Sequence, residues 1–208
     1  LTLQIQTRYP WEGLVAVKVE VPQPTDFTLR LRIPAWSRKH TIAVNGAAVE
    51  PSYDKGYASL TREWHPGDVI ELQLDMPVER VEAHPNVQQN RARVALQRGP
   101  IVYCLEGVDH SVSVRHIALP DDAPLSARLD PSLLGGVVVI EGQGAAADPS
   151  SWRNSLYRFV PQALYTPAES PTPPGASAAF QTVPLRAIPY FAWANREPAR
   201  MVVWVPRR

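Results

Sequence analysis

The stretch RARVALQRGPIVYCLEGVDH (residues 91–110) carries two apolar runs on either side of a Gly-Pro pair. In residues 94–97 the side chains Val and Leu alternate with Ala and Gln, and the run IVYCLEG follows Gly99-Pro100. Apolar runs on both sides of a turn predict two antiparallel strands rather than a helix. The second run also holds the single cysteine of the chain, Cys104, with Glu106 two residues on, a pair that can act as nucleophile and acid/base.

Period-two alternation recurs along the chain and is the dominant pattern of the sequence. It is clearest in LTLQIQT (residues 1–7), LVAVKVEV (14–21), FTLRLRI (27–33) and IELQLDM (70–76). Turn signals at Asn45-Gly46 and His65–Asp68 separate such runs, and the 22 prolines oppose long helices. The sequence therefore predicts an all-β fold with little helix, made of two antiparallel β-sandwich modules, jelly-roll-like and packed together.

An interruption of the alternation divides the chain into two modules, which we predict at residues 1–86 and 87–208. In the second module, residues 111–136 are interpreted as loop-rich with short strands, and Val137–Ile140 as a continuous apolar strand. The proline-rich segment SPTPPGAS (residues 170–177) predicts a surface loop.

Composition argues against several classes of partner. The formal net charge of +1, without a basic run, gives no field for nucleic acid, and no apolar run approaches the ~20 residues of a membrane span. We therefore expect neither nucleic acid nor a membrane as partner. One cysteine cannot form an internal disulfide or, by itself, a thiolate zinc site. This slightly favours a reducing compartment such as the cytoplasm, without fixing the localisation.

Few side chains stand out as candidates for chemistry. The five histidines show no HxH or HExxH spacing and predict no metal site: His40, His65, His84, His110 and His116. Free cysteine packs as a small buried hydrophobe, and a reactive one needs a cation, a metal or a helix N-terminus, so Cys104 is interpreted as structural. The aromatic residues Tyr9, Trp11 and Trp36 are candidates for stacking on a sugar or for packing in a core or interface.

Six stretches, taken in order, resemble the C-terminal part of the β-L-arabinofuranosidases of glycoside hydrolase family 127 and of the related family 146. They are TRYPWEG (7–13), LRIPAW (31–36), IAVNG (42–46), REWHPGDVIELQLDMPV (62–78), NRARVALQRGPIVYCLEGVD (90–109) and IPYFAWANREPARMVVWVP (188–206). The run VALQRGPIVYCLEGVD is the most specific of these, and residues 111–184 carry the weakest resemblance.

The resemblance implies a larger parent protein, in which an (α/α)6 barrel carries the chemistry and β-sandwich domains follow it. In that family a zinc-bound cysteine thiolate is the nucleophile, in a site of three cysteines and a glutamate, and a second glutamate is the acid/base. The nucleophile lies in a Cys-Cys-Pro-Pro-Asn-like motif, whereas this chain has one cysteine. No catalytic or metal-binding residue can therefore be assigned in this chain, and zinc is expected in the catalytic domain of the parent.

We therefore expect a non-catalytic accessory region that supports the barrel and shapes the approach to its pocket or its oligomer. The expected partner is the catalytic barrel, with a second copy of the chain and L-arabinose-containing glycans as further candidates. One alternative is a carbohydrate-binding module that stacks sugars on Tyr9, Trp11 and Trp36, and another is a self-contained enzyme that uses Cys104 and Glu106. We also expect further strands of the first sandwich to precede Leu1, so that the first module exposes an edge or an apolar face.

Overall fold

The computed structural model describes residues 1–149, 156–157 and 180–208, which form β-strands joined by turns. Short 3-10 turns occur at Gln88–Asn90, Gly107–Asp109, Val114–His116 and Tyr190–Ala192. The all-β prediction is confirmed, and neighbouring strands pair in antiparallel ladders. The loop predicted at residues 170–177 lies outside the described residues. Within the described ranges, no helix is both long and apolar enough to cross a membrane.

The strands follow one another along the chain as β1 (Thr2–Thr7), β2 (Leu14–Glu20), β3 (Thr25–Arg32), β4 (His40–Val44), β5 (Ala47–Ala48), β6 (Ser52–Asp54), β7 (Tyr57–Trp64), β8 (Val69–Leu74), β9 (Val78–Glu82), β10 (Arg93–Arg98), β11 (Ile101–Glu106), β12 (Ile117–Ala118), β13 (Leu125–Asp130), β14 (Val137–Ala147), β15 (Phe180–Pro189), β16 (Met201–Val202) and β17 (Val205–Pro206).

The chain divides into two compact units. The first unit comprises Leu1–Glu79 and Gln97–Ile101, and the second comprises Arg80–Leu96 and Val102–Arg208. The first unit is a sandwich of a five-stranded sheet, in the order β1-β2-β8-β4-β5, and a three-stranded sheet, in the order β3-β7-β6. The apolar members of the alternating runs form its buried core: Val17, Val19, Leu29, Leu31, Ile42, Val44, Leu60, Trp64, Ile70, Leu72 and Leu74.

The two turns predicted in the first unit are tied together by side chains. Asn45 and Gly46 have φ values of 53° and 78°, as a tight type I′ hairpin requires. The Asn45 amide donates to Asp68 Oδ1 (2.8 Å), and its oxygen accepts the Val69 N–H (2.9 Å). Asp68 Oδ2 in turn accepts the His65 N–H (2.9 Å). Burial raises the pKa of Asp68, but the hydrogen bonds from His65 and Asn45 outweigh it and hold that pKa below its ordinary value.

One edge of the first unit exposes an apolar row. Among the strands that the structure describes, β1 pairs only with β2, and β3 pairs only with β7. Leu1, Leu3 and Ile5 point to one face of β1 and are 72%, 42% and 65% exposed. They line a groove of about 320 Å³ together with Val17 and Leu29. Exposed apolar surface on an edge strand is a site for association. The expectation that further strands precede this segment stays a prediction.

The second unit is one curled sheet. Its main path runs β12-β14-β15-β11-β10-β17, with β13 beside β14, β16 beside β11 and β9 beside β10. The two ends of the path meet, because Leu119 N–H donates to Pro206 O (2.8 Å) and Arg208 N–H donates to Leu119 O (3.1 Å). The facing layers of this module therefore belong to a single sheet. Its most deeply buried apolar side chains include Tyr103, Leu105, Ile117, Leu119, Ile140, Leu185 and Ile188.

The middle of the second unit is more regular than the sequence pattern indicates. Part of the stretch expected to be loop-rich forms β13, and β14 continues well past the apolar run predicted as a strand. A Cβ atom at Gly142 would lie 2.7 Å from Leu125 Cδ2, and one at Gly144 would lie 2.8 Å from Ile117 Cγ2. The glycines that weaken the strand pattern therefore allow the close approach of side chains from β13 and β12.

Candidate functional site

Cys104 lies in the centre of β11 and is 1% exposed. It faces Ile188 of β15 in the ladder between these strands. Burial, followed by the negative charge of Glu106, raises the pKa of the Cys104 thiol to about 12. The thiolate is the reactive form of cysteine, so a thiol with this pKa is inert at neutral pH. The geometry supports a structural strand cysteine and opposes its use as a nucleophile.

Glu106, the other half of the candidate pair, is a buried anion with assigned partners. Its side chain is 0% exposed, and Oε1 accepts the Ala194 N–H (2.9 Å). Oε2 accepts a short hydrogen bond from the guanidinium of Arg196. A general acid/base must reach the proton that it transfers, and a carboxylate enclosed and paired in this way does not. Glu106 therefore holds the chain around Arg196 in place.

Five charged side chains extend this contact into a buried ion network, which consists of Glu106, Asp109, Asp130, Arg186 and Arg196. Arg196 binds Asp109 in bidentate fashion, with Nη1–Oδ1 at 2.8 Å and Nη2–Oδ2 at 2.6 Å. The hydrogen bonds to Asp109 and then to Glu106 raise the pKa of Arg196 although its burial lowers it. Arg186 pairs with Asp130 and lies 3.8 Å from Asp109 Oδ1.

Further side chains add hydrogen bonds to the network, while Arg186 Nε and Arg196 Nε are buried without a hydrogen-bond partner among the described residues. The hydroxyl (2.6 Å) and the N–H (3.0 Å) of Ser132 donate to Asp130, and they lower the pKa of that carboxyl together with Arg186. His110 Nε2 accepts the Arg186 N–H (3.3 Å), which assigns the proton to Nδ1, the atom that lies 2.8 Å from Glu106 O. Both ring nitrogens of His110 are therefore occupied within the protein.

No pattern in the sequence directly predicts the buried ion network, because most of its partners lie far apart in the chain. Arg196 and Glu106 are 90 residues apart, and Arg186 and Asp130 are 56 residues apart. Strand alternation predicts which residues face inwards, but it does not pair charges across a curled sheet. The signal that was present is Arg196, a charged side chain in the largely apolar and aromatic stretch of residues 188–206, which does not by itself indicate its partners.

The aromatic candidates of the first unit are partly brought together. The rings of Tyr9 and Trp36 stack, with centroids 6.4 Å apart and an interplanar angle of 23°. Trp36 is half-buried and packs against the core of the first unit, while Tyr9 is 39% exposed. The carbonyl of Trp11 accepts a hydrogen bond from Arg98 Nη1 (2.9 Å). These contacts favour packing for Trp36, and a sugar or interface contact by the three aromatic residues stays a prediction.

The resemblance places the zinc site of the family in the catalytic domain of the parent protein and not in these two β units. Within the described ranges, no group of three or more His, Cys, Asp and Glu side chains could hold a metal ion. Zinc sites of the three-cysteine type need three thiolates, and this chain has the single cysteine Cys104, which is 1% exposed.

Comparison with known proteins matches both units. The family described as "Beta-L-arabinofuranosidase, GH127 middle domain" matches residues 1–76, and "Glycoside hydrolase family 127 C-terminal domain" matches residues 78–206. The chain belongs to glycoside hydrolase family 127. The resemblance that the six sequence stretches carry is thereby confirmed.

Similar proteins are longer than this chain. It is 35% identical to the non-reducing end β-L-arabinofuranosidase of Bifidobacterium longum over 218 residues, which cover 100% of this chain and 30% of that protein. Among solved structures, the GH127 β-L-arabinofuranosidase of Geobacillus stearothermophilus T6 matches with a TM-score of 0.87 and 44% identity, over 99% of this chain and 30% of that one. A second GH127 β-arabinofuranosidase matches with a TM-score of 0.81 and 32% identity, over 99% of this chain and 31% of that one.

These comparisons identify residues 1–76 as the middle domain and residues 78–206 as the C-terminal domain of family 127. The chain spans about 30% of the length of the relatives that it matches. Because the two matched domains account for residues 1–206, the catalytic barrel of the family has no counterpart within this chain.

Proposed function

We propose that this chain is the accessory β region of a β-L-arabinofuranosidase-type glycoside hydrolase, which supports the catalytic barrel and the approach to its pocket. The observation that carries the proposal is the state of the single cysteine-glutamate pair. Cys104 is buried with a raised pKa, and Glu106 is enclosed and bound to Arg196. The residues that most resemble a catalytic pair thus stabilise the second unit, and the chemistry is assigned to a domain outside this chain.

The exposed apolar row of β1 supports a docking role. Leu1, Leu3 and Ile5 lie beside a groove that reaches the core of the first unit. At about 25 cal/mol per Å² of apolar surface, covering such a row favours association with another protein surface. We assign the barrel of the same enzyme as that partner. The match covers 30% of the length of the relatives, so about 70% of each relative lies outside the matched region and can contact it.

The proposal is tested with a chimera of a related enzyme. In the Geobacillus stearothermophilus β-L-arabinofuranosidase, the matching region is replaced by these 208 residues, and in a second protein it is deleted. We expect the chimera to be folded and to hydrolyse an aryl β-L-arabinofuranoside. The deletion should lose thermal stability and activity together, because the barrel surface that the β region covers becomes exposed.

A matched pair of variants sharpens this test. Ile5→Lys in the chimera places a charge in the apolar row, whereas Gln4→Lys places it on the opposite face of β1. We expect the first to lower the melting temperature and the second to leave it unchanged. A deletion protein that retains both the stability and the activity of the intact enzyme would show that the region does not support the barrel.

A further inference from the structure

The tight turn between β4 and β5 contains the only Asn-Gly pair of the sequence, Asn45-Gly46. Asparagine followed by glycine is chemically labile, because glycine has no Cβ atom to hinder an attack by its own nitrogen on the asparagine side chain. That attack removes the side-chain amide and leaves an acid in its place. The turn is therefore a candidate site for spontaneous deamidation.

Hydrogen bonds hold Asn45 firmly against the start of β8. The Asn45 N–H donates to Val69 O (2.8 Å), and the side-chain oxygen of Asn45 accepts the Val69 N–H (2.9 Å). The side-chain nitrogen, Nδ2, donates to Asp68 Oδ1 (2.8 Å). The backbone nitrogen of Asn45 and both ends of its side-chain amide are thus bound to two consecutive residues.

Asp68, which binds Nδ2, is itself held in place. It is 7% exposed, its Oδ2 accepts the His65 N–H (2.9 Å), and its own N–H donates to His65 O (3.1 Å). Hydrogen bonds to an ionised carboxylate are stronger than those between neutral groups. The contact between Asn45 and Asp68 therefore joins the two turns of the first unit through a fixed anion.

Deamidation proceeds through a cyclic imide. The Gly46 nitrogen attacks Cγ of Asn45, the bond from Cγ to Nδ2 breaks, and the amide nitrogen leaves as ammonia with the proton of the Gly46 N–H. Water then opens the imide to aspartate or isoaspartate at position 45. Nδ2, the atom that leaves, is the atom that Asp68 binds. The imide also requires the Asn45 backbone to rotate out of the left-handed conformation that the type I′ turn imposes, with φ at 53°.

We propose that Asn45-Gly46 is a deamidation site and that Asp68 blocks the reaction while the first unit is folded. The reacting atoms belong to two adjacent residues, so the reaction needs water but no partner and no binding surface. The product places a carboxylate at position 45 against the carboxylate of Asp68 and removes the amide donor between them. Like charges at this separation repel, so the modification irreversibly weakens the first unit.

The test is to incubate the folded chain at mildly alkaline pH and to follow conversion at position 45 by mass spectrometry of its peptides. We expect Asp68→Ala to deamidate about tenfold faster than the unaltered chain, since a hydrogen bond to a charged group contributes about that factor. Leu29→Ala is the control, because Leu29 is a core residue of the same unit on the other sheet. It should lower the urea midpoint at least as much as Asp68→Ala and leave the deamidation rate almost unchanged.

A second set of variants tests the effect of the product. Asn45→Asp should raise the equilibrium constant for unfolding of the first unit about tenfold, as measured by hydrogen exchange of β2 and β8 in urea. The double variant Asn45→Asp/Asp68→Asn exchanges the two groups and should recover most of that loss. In it, the new amide can donate to the carboxylate at position 45 while its oxygen accepts the His65 N–H.

Faster deamidation in Asp68→Ala than in Leu29→Ala, together with recovery in the exchanged pair, supports the protecting contact. Equal rates in Asp68→Ala and Leu29→Ala would show that deamidation follows unfolding of the unit, which overturns the proposal. It is also overturned if the folded chain deamidates as fast as a urea-unfolded sample, or if the exchanged pair is no more stable than Asn45→Asp alone.

Discussion

Replacement of Arg196 by methionine removes the cation that two buried carboxylates share. Glu106 is 0% exposed and Asp109 is 5% exposed in their side chains, so both would be left without their main counter-ion. Breaking a buried ion pair by removal of one partner costs about 3–5 kcal/mol, because an uncompensated charge stays buried. With a denaturant slope of about 2 kcal/mol per molar urea, we expect the midpoint of the second unit to fall by about 2 M.

Arg128→Met is the matched control for this variant. Arg128 also binds a carboxylate through two nitrogens, with Nη2–Oε1 at 2.6 Å and Nε–Oε2 at 3.2 Å to Glu141. These side chains are 52% and 37% exposed, and exposed pairs contribute at most about 1 kcal/mol. Both variants therefore remove a bidentate arginine–carboxylate contact, which is largely buried at Arg196, where a second carboxylate is also bound, and exposed at Arg128.

Amide hydrogen exchange of β14 and β15 at increasing urea follows the second unit by itself, since both strands lie in that unit. We expect a large loss of protection for Arg196→Met and almost none for Arg128→Met. The double variant Glu106→Gln/Arg196→Met should recover part of the loss, because the buried charge of Glu106 is then removed as well. Equal losses for Arg196→Met and Arg128→Met would refute the assignment of Arg196 as the centre of a buried network.

Three further outcomes are expected. Cys104 should resist alkylation by iodoacetamide in the native chain at mildly alkaline pH, because its pKa is raised to about 12, and it should react once urea unfolds the chain. Rapid alkylation of the native chain would contradict this. Asp68→Ala should destabilise the first unit by about 1–3 kcal/mol at neutral pH and should reduce its loss of stability at acidic pH. The pKa of Asp68 is lowered in the folded state, so its contribution to the free energy of unfolding is complete above about pH 4. That contribution is lost as the pH falls through the folded-state pKa of Asp68. An acid-unfolding midpoint of the first unit that Asp68→Ala leaves unchanged would refute this. Ile5→Lys should reduce self-association of the chain in sedimentation experiments more than Gln4→Lys does. Equal effects of the two variants would show that the apolar row of β1 is not the surface through which the chain associates.

The parts of the fold that the sequence predicted are those in which a local pattern decides the structure. The alternation in FTLRLRI places Leu29 and Leu31 in the core of the first unit, and the Asn45-Gly46 pair forms the hairpin that its tolerance of positive φ indicates. In β14 the pattern failed, because Gly142 and Gly144 occupy positions where other strands approach. A glycine that leaves room for a neighbouring strand interrupts the alternation of apolar and polar side chains, so the alternation does not reveal the strand.

At the candidate site, too, the sequence predicted local features but not contacts between distant residues. Cys104 and Glu106 were visible as a pair in the sequence, and the preference of free cysteine for burial predicted a structural role for Cys104. The partner of Glu106 was not predictable, because Arg196 reaches it only after the sheet has curled.

The most direct measurement is the hydrolysis of an aryl β-L-arabinofuranoside by this chain alone, with zinc and a reductant present. We expect no turnover above a heat-inactivated control, because Cys104 is a buried thiol and Glu106 is bound to Arg196. Turnover that Cys104→Ala abolishes would contradict it and would make β11 the active site.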